Sequence, residues 1–299
     1  MKKLLVLSGK GGTGKTTVTA AFISLEKAEA FADCDVDAPN LHLVMQELPA
    51  PEVSDYYGMG KAVVNTARCI SCGLCIEKCR FDAIALEEDG TARVDPFACE
   101  GCGLCEAICP VGAIGMAEDI AGELMLYRIP ASSKKAAVFS TAELKMGSGT
   151  SGKLVSEVKK KLFFEASEET AMALIDGSPG IGCPVIASIS GVDFVLIVAE
   201  PSVSGISDMK RIIETSQFFE AEIAVCVNKA DTNLERTLEI EGFCANNNLM
   251  FVGRIPYDEK VNQVTNQGKT VDCSDGPAGE AIRELFLQIK KLLFEKGAK

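Results

Sequence analysis

Leu4-Leu5-Val6-Leu7-Ser8-Gly9-Lys10-Gly11-Gly12-Thr13-Gly14-Lys15-Thr16-Thr17 decides the reading of the fold. Leu4 to Leu7 is a short continuous apolar run, the mark of a strand buried on both faces, and a helix pattern runs from Gly14 to Leu25. Between them lies G-x-x-x-x-G-K-[ST], in the strand-loop-helix setting that this phosphate-binding motif requires. Gly11, Gly12 and Gly14 let backbone N–H groups, with those of Thr13 and Thr17, wrap phosphate oxygens at a helix N-terminus. Lys15 supplies a point charge for the β/γ oxygens, and the Thr16 hydroxyl is suited to Mg²⁺. The competing reading is a glycine turn without a ligand. Lys10 is additional to the motif and cannot easily share the phosphates with Lys15, so it has either a separate role or none beyond solvation.

Outward from this loop, short apolar runs recur at Ala171 to Ile175, Phe194 to Val198, Ile223 to Val227 and Met250 to Val252, with longer amphipathic stretches between them. That rhythm predicts an α/β fold: a P-loop nucleotide hydrolase with a mostly parallel sheet flanked by helices. Ile282, Leu285, Phe286, Ile289, Leu292 and Leu293 predict a closing helix over Gly279 to Glu295 that covers the sheet. From about Tyr57 to Glu118 the rhythm gives way to an internal repeat, Cys69 to Glu88 and Cys99 to Glu118, offset by thirty residues. The expected organisation is a discontinuous nucleotide-binding domain, 1–56 and 119–299, with an inserted domain at 57–118. Ala131 to Gly152, rich in Ser, Gly and Lys, is expected to be a connector.

Of thirteen cysteines, eight fall within this repeat. Cys69, Cys72, Cys75 and Cys79 spell C-x₂-C-x₂-C-x₃-C; Cys99, Cys102, Cys105 and Cys109 repeat it, followed by Pro110. This is the bacterial ferredoxin spacing for two [4Fe-4S] clusters, in which the fourth cysteine of each run serves the other cluster. It predicts an α+β two-cluster module with Cys69, Cys72, Cys75 and Cys109 on one cluster and Cys99, Cys102, Cys105 and Cys79 on the other. Zinc sites, the alternative, use two C-x₂-C pairs across a longer loop. Arg80 stands where the second run has Pro110. Thiolate ligation requires a reducing compartment, and a cytoplasmic location is expected.

The formal charge of −12 argues against nucleic acid and anionic membranes as partners, and no run of about eighteen apolar residues appears. The N-terminal lysines begin like a signal peptide but lack its cleavage pattern. Lys296-Gly297-Ala298-Lys299 is expected to be too little to anchor a membrane. The single histidine, His42, excludes chemistry that needs a histidine pair.

Lys10 to Thr16, K-G-G-x-G-K-[ST], resembles the deviant Walker A motif of the MinD/ParA/Mrp ATPases. The resemblance implies that Lys10 reaches a partner's nucleotide across an ATP-dependent dimer, homodimeric or with a related ATPase. Asp33-Cys34-Asp35-Val36-Asp37 resembles the family's switch I, which implies that Asp35 orients the attacking water and Asp33 supports Mg²⁺. Asp176-Gly177-Ser178-Pro179-Gly180 resembles Walker B and switch II, with Asp176 holding a Mg²⁺-bound water. Asn228-Lys229-Ala230-Asp231 resembles the guanine-reading N-K-x-D of GTPases, but in the MinD-like group this loop contributes an asparagine to adenine recognition. ATP over GTP therefore rests on the resemblance, with Asn228 and Pro256, in Ile255-Pro256-Tyr257-Asp258, as the base-side candidates. Cys183, seven residues past Asp176, is placed like the cysteine that holds the intersubunit cluster of nitrogenase iron protein, yet no second cysteine lies between Ala131 and Asp176. Packing is the alternative role for Cys183.

Taken whole, the sequence resembles MinD-superfamily ATPases with an inserted ferredoxin domain. One reading is an ATPase, slow and partner-stimulated, whose nucleotide switch gates electron transfer through the clusters to a redox partner. The other is an ATP-dependent scaffold or carrier that assembles metallocentres in apo-proteins. Corrinoid amidation is rejected, because it needs a glutaminase domain with its own cysteine and histidine.

Overall fold

The computed structural model describes residues 1–45, 48–130 and 136–295. Its elements begin with β1 (Lys2–Leu7), α1 (Lys15–Glu26), β2 (Ala30–Asp33), α2 (Leu41–Val44) and β3 (Glu52–Tyr57). The cysteine-rich stretch contains β4 (Lys61–Val64), α3 (Leu74–Lys78), β5 (Ile84–Leu86), β6 (Ala92–Val94), α4 (Leu104–Ile108) and β7 (Ile114–Ala117). There follow β8 (Ile120–Ile129), β9 (Ala137–Leu144), α5 (Ser151–Glu165), β10 (Met172–Asp176), α6 (Cys183–Ile189), β11 (Phe194–Ala199) and α7 (Val203–Ser216). The chain closes through β12 (Glu222–Asn228), α8 (Leu234–Asn246), β13 (Met250–Ile255), α9 (Lys260–Asn266) and α10 (Pro277–Glu295).

The chain divides into two compact units: 1–52, 125–142 and 152–299 form the first, and 53–124 with 143–151 the second. In the first, strands lie in the order β13-β12-β11-β1-β10-β2-β9, each pairing parallel to its neighbour. Parallel strands joined by helices are covered on both faces, which is why β1, β10, β11 and β12 are nearly unbroken apolar runs. Leu4, Val6, Leu174, Leu196 and Phe194 pack with Phe22 of α1 and Phe286 and Ile289 of α10 in one core. Each such fully buried side chain contributes about 1.5–3 kcal/mol.

The segment 131–152 is corrected in one respect. Residues 131–135 lie outside the described residues, but 137–144 is a strand, paired parallel with β2 through Ala30↔Val138 and Ala32↔Ser140. Its polar residues disguised it: Ser140 and Thr141 are fully buried, and the Ser140 hydroxyl is satisfied by donating to the Val158 carbonyl at 3.0 Å. Phe139 beside them stacks on Phe31 at 4.9 Å. The expected tail, Lys296 to Lys299, also lies outside the described residues. Among the described residues no helix is long and apolar enough to cross a membrane.

The second unit holds two small antiparallel pairs, β4 with β7 and β5 with β6. Its repeat extends to the backbone. Positive φ recurs at Ser71 and Gly101, at Gly73 and Gly103, and at Asp82 and Gly112, each pair thirty residues apart. Ser71 and Asp82 accept a left-handed conformation that disfavours side chains, because the turn geometry repeats where the residue type does not. The core is small: Ala62, Ala83, Ile84, Ala92 and Ile114 surround Cys75 and Cys99, with Cys69, Cys79, Cys105 and Cys109 packed against them.

Candidate nucleotide site and cysteine cavities

The loops that follow β1, β2, β10 and β12 bring together most of the candidates named for the nucleotide. Gly12 and Gly14 have φ of 80° and 93°, so the loop turns back on itself before α1. A Cβ at Gly14 would stand 2.2 Å from the Asn228 amide nitrogen, and open space lies beside Gly11 and Gly12. No side chain caps α1 at its N-terminus, and its first turn carries no carboxylate. Its unpartnered N–H groups and helix dipole are therefore directed to an external anion. The buried Thr13 Oγ1 has no hydrogen-bond partner among the described residues. An open glycine cradle, a bare helix N-terminus and an orphan hydroxyl fit a phosphate chain.

Asp176, at the end of β10 and fully buried, accepts from Thr16 Oγ1 at 2.7 Å and Thr19 Oγ1 at 2.8 Å, and pairs with Lys15 Nζ at 2.8 Å. Burial works to lower the Lys15 pKa, but the charges of Asp176, Asp33 and Asp35 outweigh it, so the ammonium is held above its ordinary value. Asp33 is buried too, and burial with the adjacent Asp176 charge pushes its pKa up to about 7. Its oxygens accept the backbone N–H groups of Asp35 at 3.0 Å and of Asn40 and Leu41 at 2.9 Å each. Asp33 thus shapes the loop that carries Asp35. Burial raises the half-buried Asp35 carboxyl above the carboxylate norm. Ser178 Oγ donates to the Cys34 carbonyl, stitching the loop after β10 to the loop after β2.

Lys10 extends to Glu200 at 2.7 Å and to the hydroxyls of Ser202 and Ser204. Lys229 approaches the same carboxylate at 3.6 Å and donates to the Gly12 carbonyl at 3.3 Å. Asn228 donates from its side-chain amide to the Thr13 carbonyl at 2.7 Å and accepts the Lys229 N–H, so it braces the phosphate loop. Asp231 accepts the Tyr257 N–H at 2.6 Å, which ties the segment after β12 to the turn that contains Pro256. Thr17 lies in the first turn of α1, half-buried. Thr19 and Glu200 were missed from sequence. Thr19 sits three residues after Thr16 on the same helix face, and Glu200 directly follows an apolar strand, so both signals were present.

In the second unit the two cysteine runs line two cavities. Cys69, Cys72, Cys75 and Cys109 line one, with Val64, Leu74 and Ile114 among the apolar residues of its wall. Cys79, Cys99, Cys102 and Cys105 line the other, with Ala62, Phe81 and Leu104. Each cavity takes three cysteines from one run and the fourth from the other. Cys109 Sγ accepts the Ala113 N–H at 3.2 Å, and this bond and its neighbouring amides lower the thiol pKa. All thirteen cysteines are free thiols. Among the described residues no group of three His, Cys, Asp or Glu side chains could hold a single metal ion.

Residues 4–271 match the family described as the CobQ/CobB/MinD/ParA nucleotide binding domain. The chain belongs to that family. Its description names MinD and ParA beside CobQ and CobB and is that of a nucleotide-binding domain. An uncharacterised protein of Methanocaldococcus jannaschii is 31% identical over 97% of this chain and 97% of its own length. The cell division ATPase MinD of Pyrococcus furiosus shares the fold with a TM-score of 0.57 at 16% identity, over 97% of this chain and 99% of that one. MinD of Pyrococcus horikoshii, solved with Mg-ADP, gives 0.56 at 18% identity over 100% and 99%.

Cys183, at the start of α6, is exposed. Cys34 and Cys226 are fully buried, and burial pushes each thiol up to about 12, so both act as packing residues.

Proposed function

We propose that this ATPase carries two [4Fe-4S] clusters in a ferredoxin-like α+β module inserted in the family fold, and that its nucleotide state gates electron transfer to a redox partner. The observation that carries the reading is the pair of cavities, each lined by four free cysteines with the fourth exchanged between runs. Thiolate donors in a mostly apolar wall suit an iron-sulfur cluster. A tetrahedral zinc ion with bonds of about 2.3 Å would need its thiolates drawn to about 3.8 Å of each other. The module's apolar core is slight, and small units of this kind need a covalent or metal staple. The clusters would supply one-electron storage and transfer, passing an electron from a reduced donor to an oxidised partner.

On the nucleotide side, Lys15 and the α1 N-terminus neutralise phosphate charge, while the Thr16 hydroxyl and Asp176 are the groups for Mg²⁺ with Asp33 behind them. Asp35 orients the attacking water. Asn228 and Pro256 border the base. Lys10 leaves Glu200 to reach a second copy or a related ATPase, which makes the active form a dimer. The charge of −12 favours a basic protein partner over nucleic acid, and free thiolates fit the reducing cytoplasm.

The test is electron paramagnetic resonance on the anaerobically purified, dithionite-reduced protein, alone, with Mg-ATP and with a non-hydrolysable analogue. Two interacting cluster signals that change with nucleotide are expected. Signals indifferent to nucleotide refute gating, and transfer of iron and sulfide to an apo-acceptor would favour the assembly reading, which the exposed Cys72 and Cys102 would suit. Absence of any cluster signal sinks the iron-sulfur assignment.

A further inference from the structure

We infer that Lys159 is a positioning residue that locks α5 to the switch II helix α6, making α5 the element that carries nucleotide state to the cysteine unit. The inference rests on the nucleotide switch proposed above. Lys159, in the middle of α5, is 5% exposed and has no carboxylate partner among the described contacts. Its ammonium donates to the carbonyls of Ala187 at 2.9 Å, Ser188 at 2.6 Å and Ser190 at 2.6 Å. All three of its N–H bonds thus end on the C-terminal turn of α6, where carbonyls are otherwise unpartnered and the helix dipole is negative. Burial lowers the Lys159 pKa to about 8, and the three carbonyls offset part of the cost of burying its charge. The other end of α6 is also fixed to α5. A Cβ at Gly152 would stand 3.1 Å from the Cβ of Cys183, so the first turns of the two helices are in close contact there. With both ends attached, α6 cannot shift without α5.

The two ends of this rigid pair have different attachments. Cys183 directly follows the loop 177–182, which leaves Asp176, the partner of Lys15 and Thr16. At the start of α5 the chain passes from the second unit to the first, at Ser151 and Gly152. Within the second unit, the segment leading to that point packs beside a cysteine run: Gly147 lies against Phe97, two residues before Cys99, and Gly149 against Glu100, the residue after it. Glu100 and Cys99 both line the second cavity. A displacement of the loop after Asp176 therefore has a continuous covalent and packed route, through α6, Lys159 and α5, to 143–151 and Cys99.

Hydrogen-deuterium exchange on the full-length, anaerobically purified protein tests this, with and without a Mg²⁺-bound non-hydrolysable ATP analogue. In the wild type, nucleotide is expected to change exchange in peptides covering 177–189, α5 and 143–151. Lys159→Met should keep analogue affinity within about threefold and the response at 177–182, but reduce the response at 143–151 at least threefold. Gly152→Val, which opens the other attachment, should do the same and stands in if the first variant does not fold. An undiminished response at 143–151 in a folded variant overturns the inference. So does a wild type that responds at 177–189 but not at 143–151, and that result leaves the nucleotide switch intact. No response at 177–189 in the wild type removes the switch itself, and the inference with it.

Discussion

Replacing Asp176 by Asn keeps the shape of the side chain and removes the charge on which the nucleotide loop converges. The carboxylate is fully buried and has three partners: Lys15 at 2.8 Å, Thr16 at 2.7 Å and Thr19 at 2.8 Å. An amide offers one acceptor oxygen and turns an N–H toward the remaining donors, so at least one charge-assisted bond is lost, about 1.5–3 kcal/mol. Lys15, only 6% exposed, loses its nearest countercharge, and breaking a buried pair costs about 3–5 kcal/mol. These overlap, and there is an offset. Asp33 is held near 7 by burial and then by the Asp176 charge; without that charge it ionises more readily and takes over part of the pairing with Lys15. The expected net loss is about 3 kcal/mol at neutral pH, read by urea denaturation of matched samples. The pH dependence follows from the same residues. The native Asp33 pKa of about 7 lies above its ordinary 3.8, so the folded protein holds a proton that the unfolded chain releases. That contribution is complete below about 4 and is lost as pH rises through about 7. With Asp176→Asn the native Asp33 pKa falls, so stability should decline less steeply across this window than in the wild type. Phosphate release from ATP should drop at least a hundredfold, about 2.7 kcal/mol of barrier. A variant within about 1 kcal/mol of wild type that still hydrolyses ATP would refute the reasoning.

Cys109→Ser tests the exchanged fourth ligand: it should deplete the cluster served by Cys69, Cys72 and Cys75, leaving about half the iron and the signal of the other cluster. Loss of the cluster associated with Cys99, Cys102 and Cys105 instead would contradict the exchange, and selective Cys79→Ser is the reciprocal control. Glu200→Gln should release Lys10 and Lys229 together. Partly exposed pairs contribute about 0.5–1 kcal/mol, so analogue-dependent dimerisation should strengthen about two- to fivefold by sedimentation. Unchanged or weaker association would show that Glu200 does not restrain Lys10.

The phosphate loop, the parallel sheet and the two cysteine runs were legible in one dimension because each depends on local spacing. Glycines at fixed offsets permit the turn, apolar runs mark strands covered on both faces, and cysteines three residues apart can face a common space. The repeat was legible in part: the thirty-residue offset is written in the cysteines, whereas positive φ at Ser71 and Asp82 is imposed by the turn without a glycine to announce it. Strand β9 was hidden because Ser140 and Thr141 read as polar, and only the fold supplies the helix carbonyl that satisfies the buried Ser140 hydroxyl. Pairings across long separations left no local trace. Lys10 and Glu200 stand 190 residues apart, and Lys159 is one lysine of a run, Lys159-Lys160-Lys161, of which the fold buries one and leaves two on the surface. By itself the sequence set out the residues from which the chemistry is read: a glycine loop before a helix, and eight cysteines in two runs of ferredoxin spacing. Only the tertiary structure decided which carboxylate restrains Lys10 and which lysine meets the carbonyls at the end of α6, because the partners of such charges are chosen by packing in three dimensions.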